Sequence, residues 1–237
     1  MTDNDVCPAT MDQRKRIAIY GGTFDPVHLG HLEIGRKVSQ LFAIDQFLYL
    51  PARSAPHKVS RQAASPFDRY AMLALATQND PALSVSRFEL DGPDRQYTVD
   101  TLAHFRARCG EFDELFFVMG ADSWAEITTW REWQRLLTLA NLIVVTRLGN
   151  EIAAEDFPVT TTQVVDLRGS GKATSSDKTE PEALRIFITD AVNNDISATA
   201  VRKAVRDQAH EELERLVPPA VADYIRKYGL YRNTNEA

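Results

Sequence analysis

Two histidines three residues apart, His28 and His31, close the string Gly21-Gly22-Thr23-Phe24-Asp25-Pro26-Val27-His28-Leu29-Gly30-His31, which lies between an apolar run and an amphipathic one. Two glycines after a strand let the backbone turn sharply and approach a ligand closely. A helix beginning near Leu29 presents N–H groups without intrahelical partners and the positive end of its dipole, and both attract an anion. Residues three apart share one side of a helix start, so both imidazoles project toward that anion. The chemistry is that of a phosphate cradle. A glycine turn with two surface histidines, or a weak two-histidine metal site, would explain the Gly-Gly turn alone, because short motifs recur by chance. The full eleven-residue string with both histidines favours the cradle.

The rest of the composition narrows the ligand. The chain has 237 residues, 44% of them hydrophobic and 25% charged, enough for one large domain or two small ones with an ample core. Its formal charge of -6 argues against non-specific nucleic-acid binding, which needs many phosphates neutralised by Lys and Arg; a small phosphorylated ligand needs only a local cluster of donors. The longest apolar stretch, 136–145, is interrupted by Asn141 and falls short of the roughly 18–20 residues that span a bilayer. The first sixteen residues hold no apolar core of a signal peptide, so neither a membrane nor an exported protein is expected. Cys7 and Cys109 share no metal or redox spacing, which suits a reducing cytoplasm, and Cys109 reads as a small hydrophobe at a helix end.

The elements that must position the cradle alternate in type. Strands are predicted at 17–20, 47–50, 83–88, 115–119, 142–146 and 185–188, with helices at 29–42, 67–77, 99–107 and 131–139 between them. Short apolar strands separated by helical patterns predict βαβ units, hence an α/β protein with an open, doubly wound parallel sheet that binds its ligand at the carboxyl ends of the strands near a topological switch point. Residues 1–15 read as a flexible leader and 16–195 as the core. A small C-terminal helical subdomain, 196–232, follows, with helices at 197–206 and 211–216 and a last one opened by Pro218-Pro219. The polar stretch 160–181 is predicted to be a long mobile loop. Its GSGK is no P-loop, since Asp166 and Ala173 stand where Gly and Ser or Thr are required. Three prolines around the polar stretch at 56–58 predict a mobile segment over 51–66.

The string 21–31 resembles the G-G-x-F-x-P-x-H-x-G-H signature of the nucleotidyltransferase superfamily that adenylates or cytidylates small phosphates, a Rossmann-like fold. The superfamily's second signature, I-S-S-T-x-I-R, is similar to Ile196-Ser197-Ala198-Thr199-Ala200-Val201-Arg202, with Ala198 in place of a serine. Four further segments resemble the bacterial nicotinate-nucleotide adenylyltransferases: Pro56-His57-Lys58; Tyr97-Thr98-Val99-Asp100-Thr101-Leu102; Gly120-Ala121-Asp122 with Trp130-Arg131 after it; and the tail from Leu216 to Tyr231. The likeness covers about 16–149 and 185–232.

That resemblance implies transfer of AMP from ATP to nicotinate mononucleotide, giving deamido-NAD and pyrophosphate, with Mg²⁺ arriving on ATP and no protein metal site. His28, His31 and Arg202 are the implied catalytic residues, with Gly21, Gly22, Thr23, Phe24, Gly120, Asp122, Ser197 and Thr199 also on ATP. Ser197 at a helix start supplies a cap, and Arg202 a bidentate phosphate contact. Asp122 would hold the ribose hydroxyls, or cap a helix instead. His57 and Lys58 would lie near the mononucleotide phosphate, the Thr98 and Arg131 amides would meet the nicotinate carboxylate, and Trp130 would stack on the pyridine ring. Thr98 also suits the N-cap of the helix at 99–107, and Trp124 and Trp133 read as structural. Asp25 invites a metal-ligand or base role but equally shapes the turn. The partners expected are the two nucleotides, without nucleic acid or membrane, and a homo-oligomer is left open. Competing readings are a pantetheine-phosphate adenylyltransferase or cytidylyltransferase, which lack the Y-T-x-D-T-L and W elements, a tRNA synthetase without its K-M-S-K-S lysines, and a non-catalytic nucleotide sensor.

Overall fold

Each apolar run sends alternate side chains to opposite faces once extended. Ala18, Tyr20, Phe47, Tyr49, Phe116, Val118, Ile143 and Val145 enter one core cluster, while Ile17, Ile19, Leu48, Leu50, Leu115, Phe117, Met119, Leu142 and Val144 enter a second. The computed structural model describes residues 14–54, 63–93, 96–146, 164–169, 184–190, 192 and 196–232. The strands are β1 (Arg16–Gly22), β2 (Gln46–Pro51), β3 (Leu83–Val85), β4 (Glu114–Gly120), β5 (Asn141–Val145), β6 (Val164–Asp166) and β7 (Ile186–Thr189). They form one sheet in the order β3-β2-β1-β4-β5-β7-β6, and every pairing is parallel. The predicted α/β doubly wound architecture is the one observed.

Helices cover both faces, as a parallel sheet requires. The first cluster takes side chains from α1 (Leu29–Phe42), α2 (Pro66–Thr77), α7 (Ala198–Arg206), α8 (His210–Leu216) and α9 (Pro219–Tyr228). The second takes them from α4 (Thr98–Arg106), α5 (Ala121–Ala125) and α6 (Trp133–Leu139). The C-terminal helices thus extend the sheet's own core: Val201, Leu213, Val221, Ile225 and Tyr231 are buried with Tyr20 and Phe47.

Four local expectations are corrected. The predicted strand 83–88 stops at Val85, because the Ser86 hydroxyl accepts the Phe88 N–H at 3.1 Å and starts the short helix α3 (Phe88–Asp91). Within the expected loop 160–181, residues 164–166 form strand β6; Val164 pairs with Ile186, and Val165 packs on the first core face beside Phe187. Two valines are too short a run to announce a strand, and the β7 edge supplies the partner. Arg14 and Lys15, assigned to the leader, are held: Arg14 pairs with Glu114, and the Lys15 N–H donates to the Asp113 carboxylate at 3.0 Å. Thr98 is the first residue of α4 rather than its cap, which is Tyr97. The rest of the leader, most of 160–181 and residues 55–62, with His57 and Lys58, lie outside the described residues.

Candidate active site

β1 and β4 are neighbours at the sheet centre, and the chain builds outward from them in opposite directions, to β2 and β3 on one side and β5 on the other. That reversal is a topological switch point, where open α/β sheets leave a crevice beyond the strands' carboxyl ends. A cleft partly open to solvent lies there between Tyr20, His28 and His31 on one side and Gly120, Asp122 and Thr146 on the other.

The two histidines are fixed at the start of α1. His28 is the extended N-cap residue, its carbonyl accepting the His31 and Leu32 N–H groups at 3.0 and 3.4 Å. Its ring is buried and stacks on that of His31, with centroids 3.7 Å apart and planes 26° apart. The His31 Nδ1 accepts the His28 N–H at 3.3 Å. A nitrogen that accepts carries no proton, so in the neutral ring Nε2 is the donor. The Leu29 and Gly30 amides precede those that bond the His28 carbonyl, at the end of a helix where amides lack partners within it, and Gly30 brings that turn to the cleft without a side chain. Both imidazoles and the helix start therefore converge on the one cleft.

Support comes from below. Phe24 is buried, takes a left-handed conformation with φ 50°, and sets its ring edge-on to His31 at 5.0 Å and Tyr20 at 5.3 Å. Its side chain thus backs His31 rather than lining the cleft. Gly22 permits this, since a Cβ there would stand 2.9 Å from the Phe24 ring. The Tyr49 hydroxyl donates to the His31 carbonyl at 3.0 Å, and burial pushes its pKa well up.

The second motif reaches the same loop from far along the chain. Ser197 caps α7, its hydroxyl accepting the Ala200 N–H at 3.2 Å. Arg202 donates to the Asp25 carbonyl at 2.6 Å and the Thr199 hydroxyl at 3.3 Å. Asp25 shapes the turn: its Oδ1 accepts the Ala64 N–H at 3.0 Å and the Tyr231 hydroxyl at 2.7 Å. Gly120 caps α5, so Asp122 is freed from that role and stands exposed in its first turn, on the cleft.

Sequence reasoning missed Arg69. It is buried, and its guanidinium donates to the carbonyls of Thr23 at 2.5 Å and Ala52 at 2.6 Å, tying the loop after β1 to the end of β2. Burial lowers its pKa while Asp25 opposes the shift. The signal was available: Arg69, Met72 and Leu73 share the i, i+3, i+4 spacing of a buried helix face, where a charge needs partners.

Thr98, Trp130 and Arg131 do not line the cleft; Trp130 and Tyr97, the residue before Thr98, pack on the second core face. The Arg131 guanidinium lies 4.6 Å over the Tyr97 ring, and Trp130 meets Phe117 edge-on at 6.5 Å. Phe117 in turn lies beneath Gly21, where a Cβ would approach its ring to 3.2 Å, so this cluster adjoins the cradle. Beside it Glu89 accepts the Thr101 hydroxyl at 3.0 Å; burial pushes its carboxyl up to about 7 despite that hydrogen bond. Trp124 is buried and Trp133 packs on the same core, both structural as expected, and Cys109 packs there too.

A parallel sheet with paired imidazoles on a helix start at its switch point defines a nucleotide-phosphate-binding α/β protein. Residues 19–204 match the family model described as cytidylyltransferase-like. A probable nicotinate-nucleotide adenylyltransferase of Corynebacterium jeikeium is 38% identical over 211 residues, 89% of this chain and 98% of that protein. One of Thermus thermophilus is 36% identical over 217 residues, 92% of this chain and all of that protein. Among solved structures, the Plasmodium falciparum nicotinic acid mononucleotide adenylyltransferase complexed with NaAD shares the fold, with a TM-score of 0.68 at 20% identity over 92% of this chain and 98% of that one. The chain belongs to the nicotinate-nucleotide adenylyltransferase family, within the cytidylyltransferase-like group.

Proposed function

We propose that this protein transfers AMP from ATP to nicotinate mononucleotide, forming deamido-NAD and releasing pyrophosphate. The observation that carries the reading is the stacked His28–His31 pair on the start of α1, with the His31 donor nitrogen set by the His28 amide, inside the switch-point cleft. An oxygen of the mononucleotide phosphate attacks the α-phosphorus of ATP; the bond from that phosphorus to the β-bridging oxygen breaks, and pyrophosphate leaves with the electron pair. The nucleophile is already ionised near pH 7, so the step requires no protein base and no covalent intermediate.

Catalysis is then positioning and charge neutralisation, and positioning alone is worth on the order of 7–11 kcal/mol. His31 donates to the α-phosphate and His28 to the β-phosphate, while Arg202 and the amides at the start of α7 hold the β- and γ-phosphates. Gly21, Gly22 and Thr23 let the backbone come close, and Asp122 accepts from the ribose hydroxyls. Trp130 stacks on the pyridine ring, the Thr98 and Arg131 amides meet the carboxylate, and His57 with Lys58 meets the mononucleotide phosphate. Amide donors favour a carboxylate, which only accepts, over a carboxamide, whose NH₂ would face them.

Among the described residues lining the cleft, Asp122 is the acidic side chain and His28 and His31 are the imidazoles, with Tyr20 and Thr146 as hydroxyls; one carboxylate with two imidazoles suits phosphate oxygens better than a caged cation. Mg²⁺ enters as part of the ATP substrate, where it neutralises phosphate charge. No described helix is long and apolar enough to cross a membrane, which fits a cytoplasmic enzyme. The test is pyrophosphate release from MgATP with nicotinate mononucleotide, nicotinamide mononucleotide and phosphopantetheine in parallel. A strong preference for the first is expected; silence with all three, from protein that binds ATP, overturns the reading in favour of a sensor.

A further inference from the structure

The C-terminal turn reaches back across the whole chain to the phosphate loop. After α9, Gly229 and then Tyr231 take left-handed conformations, each with φ 63°. Glycine adopts this freely, whereas an aromatic residue holds it only where its surroundings over-determine it. Tyr231 is so held: its ring is buried in the first core cluster, and its hydroxyl donates to the Asp25 Oδ1 at 2.7 Å across 206 positions of sequence. The other end of Asp25, its carbonyl, accepts the Arg202 guanidinium at 2.6 Å.

Asp25 thus sits beside two cations it could pair with, Arg202 and the buried Arg69. The Tyr231 hydroxyl is within electrostatic reach of Asp25, Arg202 and Arg69 alike. With Oδ1 occupied by Tyr231 and the Ala64 amide, the carboxylate is held in place and Arg202 takes the neutral carbonyl instead. A guanidinium bound to a carbonyl keeps its charge for an incoming polyphosphate, whereas one in a bidentate pair with a carboxylate is largely neutralised.

We propose that Tyr231 is a positioning residue of the triphosphate site: by holding the Asp25 carboxylate it keeps that group off Arg202, so that Arg202 remains available to the β- and γ-phosphates. The inference rests on the reading of Arg202 as a triphosphate ligand and extends it to a residue outside both phosphate motifs.

The test uses the full chain and MgATP with nicotinate mononucleotide. Tyr231→Phe removes one oxygen and is expected to raise the ATP KM about tenfold, the scale of a hydrogen bond to a charged group. Its kcat should stay within about twofold and the mononucleotide KM should not move. The double variant Y231F/D25N, whose neutral amide cannot form an ion pair with Arg202, should bring the ATP KM back to within about threefold of wild type. The control is Tyr224→Phe, which loses a similar tyrosine-to-carboxylate bond, to Asp68 at 2.9 Å, from within α9. It should lower Tm and leave the ATP KM alone. If Y231F behaves like Y224F, or the double variant remains tenfold impaired, the proposal is overturned; where Y231F does not fold, Asp25→Asn alone should hold the ATP KM within about threefold of wild type, and a tenfold rise overturns it. Arg202→Ala run in parallel separates the two claims, because an unchanged ATP KM there sinks the Arg202 reading itself.

Discussion

His31 is held from three sides: the Phe24 ring edge, the Tyr49 hydroxyl on its carbonyl, and the His28 amide on its Nδ1. These contacts fix the donor before a ligand arrives, and preorganised donors of this kind are worth roughly 3–4 kcal/mol in a transition state. His31→Ala is therefore expected to lower kcat at least about a hundredfold with circular dichroism and Tm close to wild type; a normal kcat would remove His31 from the mechanism. Glu89 yields a pH prediction of different origin. Its folded pKa, about 7, lies above the ordinary 4.5, so the folded state keeps this proton where the unfolded chain has released it. Stability from this group is fully present below about pH 4.5 and is lost as pH rises through about 7, a change on the order of 3 kcal/mol. Urea unfolding at pH 5 and pH 8 should show that loss in wild type and a smaller one in Glu89→Gln, which stays neutral at both. An equal loss in both proteins would place its source elsewhere.

At the scale of elements, the site depends on how closely α1 lies on the sheet. Gly35 sits on the buried side of α1, where a Cβ would overlap the Tyr49 hydroxyl, the same group that holds the His31 carbonyl. Gly35→Ala should destabilise the fold by about 1–3 kcal/mol through overpacking, and it should reduce kcat too, since relieving the overlap moves Tyr49 or tilts α1. A drop in Tm with unchanged kcat would mean that the Tyr49–His31 contact does not position the imidazole. Ser197 at the head of α7 offers a cleaner case. Removing its capping hydroxyl as Ser197→Ala should cost about 1 kcal/mol, measured by urea unfolding; no loss would show that the first turn of α7 is held by its packing, through Val201 and Ala204, alone.

The whole molecule brings together pieces separated by most of the chain: the loop at 21–31 from the first strand, Arg202 from α7 and Tyr231 from the last turn. A ligand that needs all of them must stabilise the folded state as a unit. At a concentration about a hundred times its Kd, MgATP should add about 2.7 kcal/mol, or roughly 5–10 °C in Tm for a domain of this size. Arg202→Ala should shrink that shift at the same ATP concentration, and an undiminished shift would place the triphosphate elsewhere.

The parallel α/β sheet, the helix start under His28 and His31 and the cap at Ser197 were legible in the sequence, because each follows from local chemistry: an apolar run, a glycine turn, a hydroxyl before a helix. Strand β6 was not, since two valines in a polar stretch become a strand only through the free edge that β7 offers them. Nor were the partners of Arg69 and Asp25, which are main-chain carbonyls for the one and an amide and a tyrosine for the other, all brought near by folding. The sequence determined which groups are available for phosphate chemistry; only the tertiary structure decided which of them are committed to one another, because hydrogen-bond pairing is a property of distances in space that residue order does not carry.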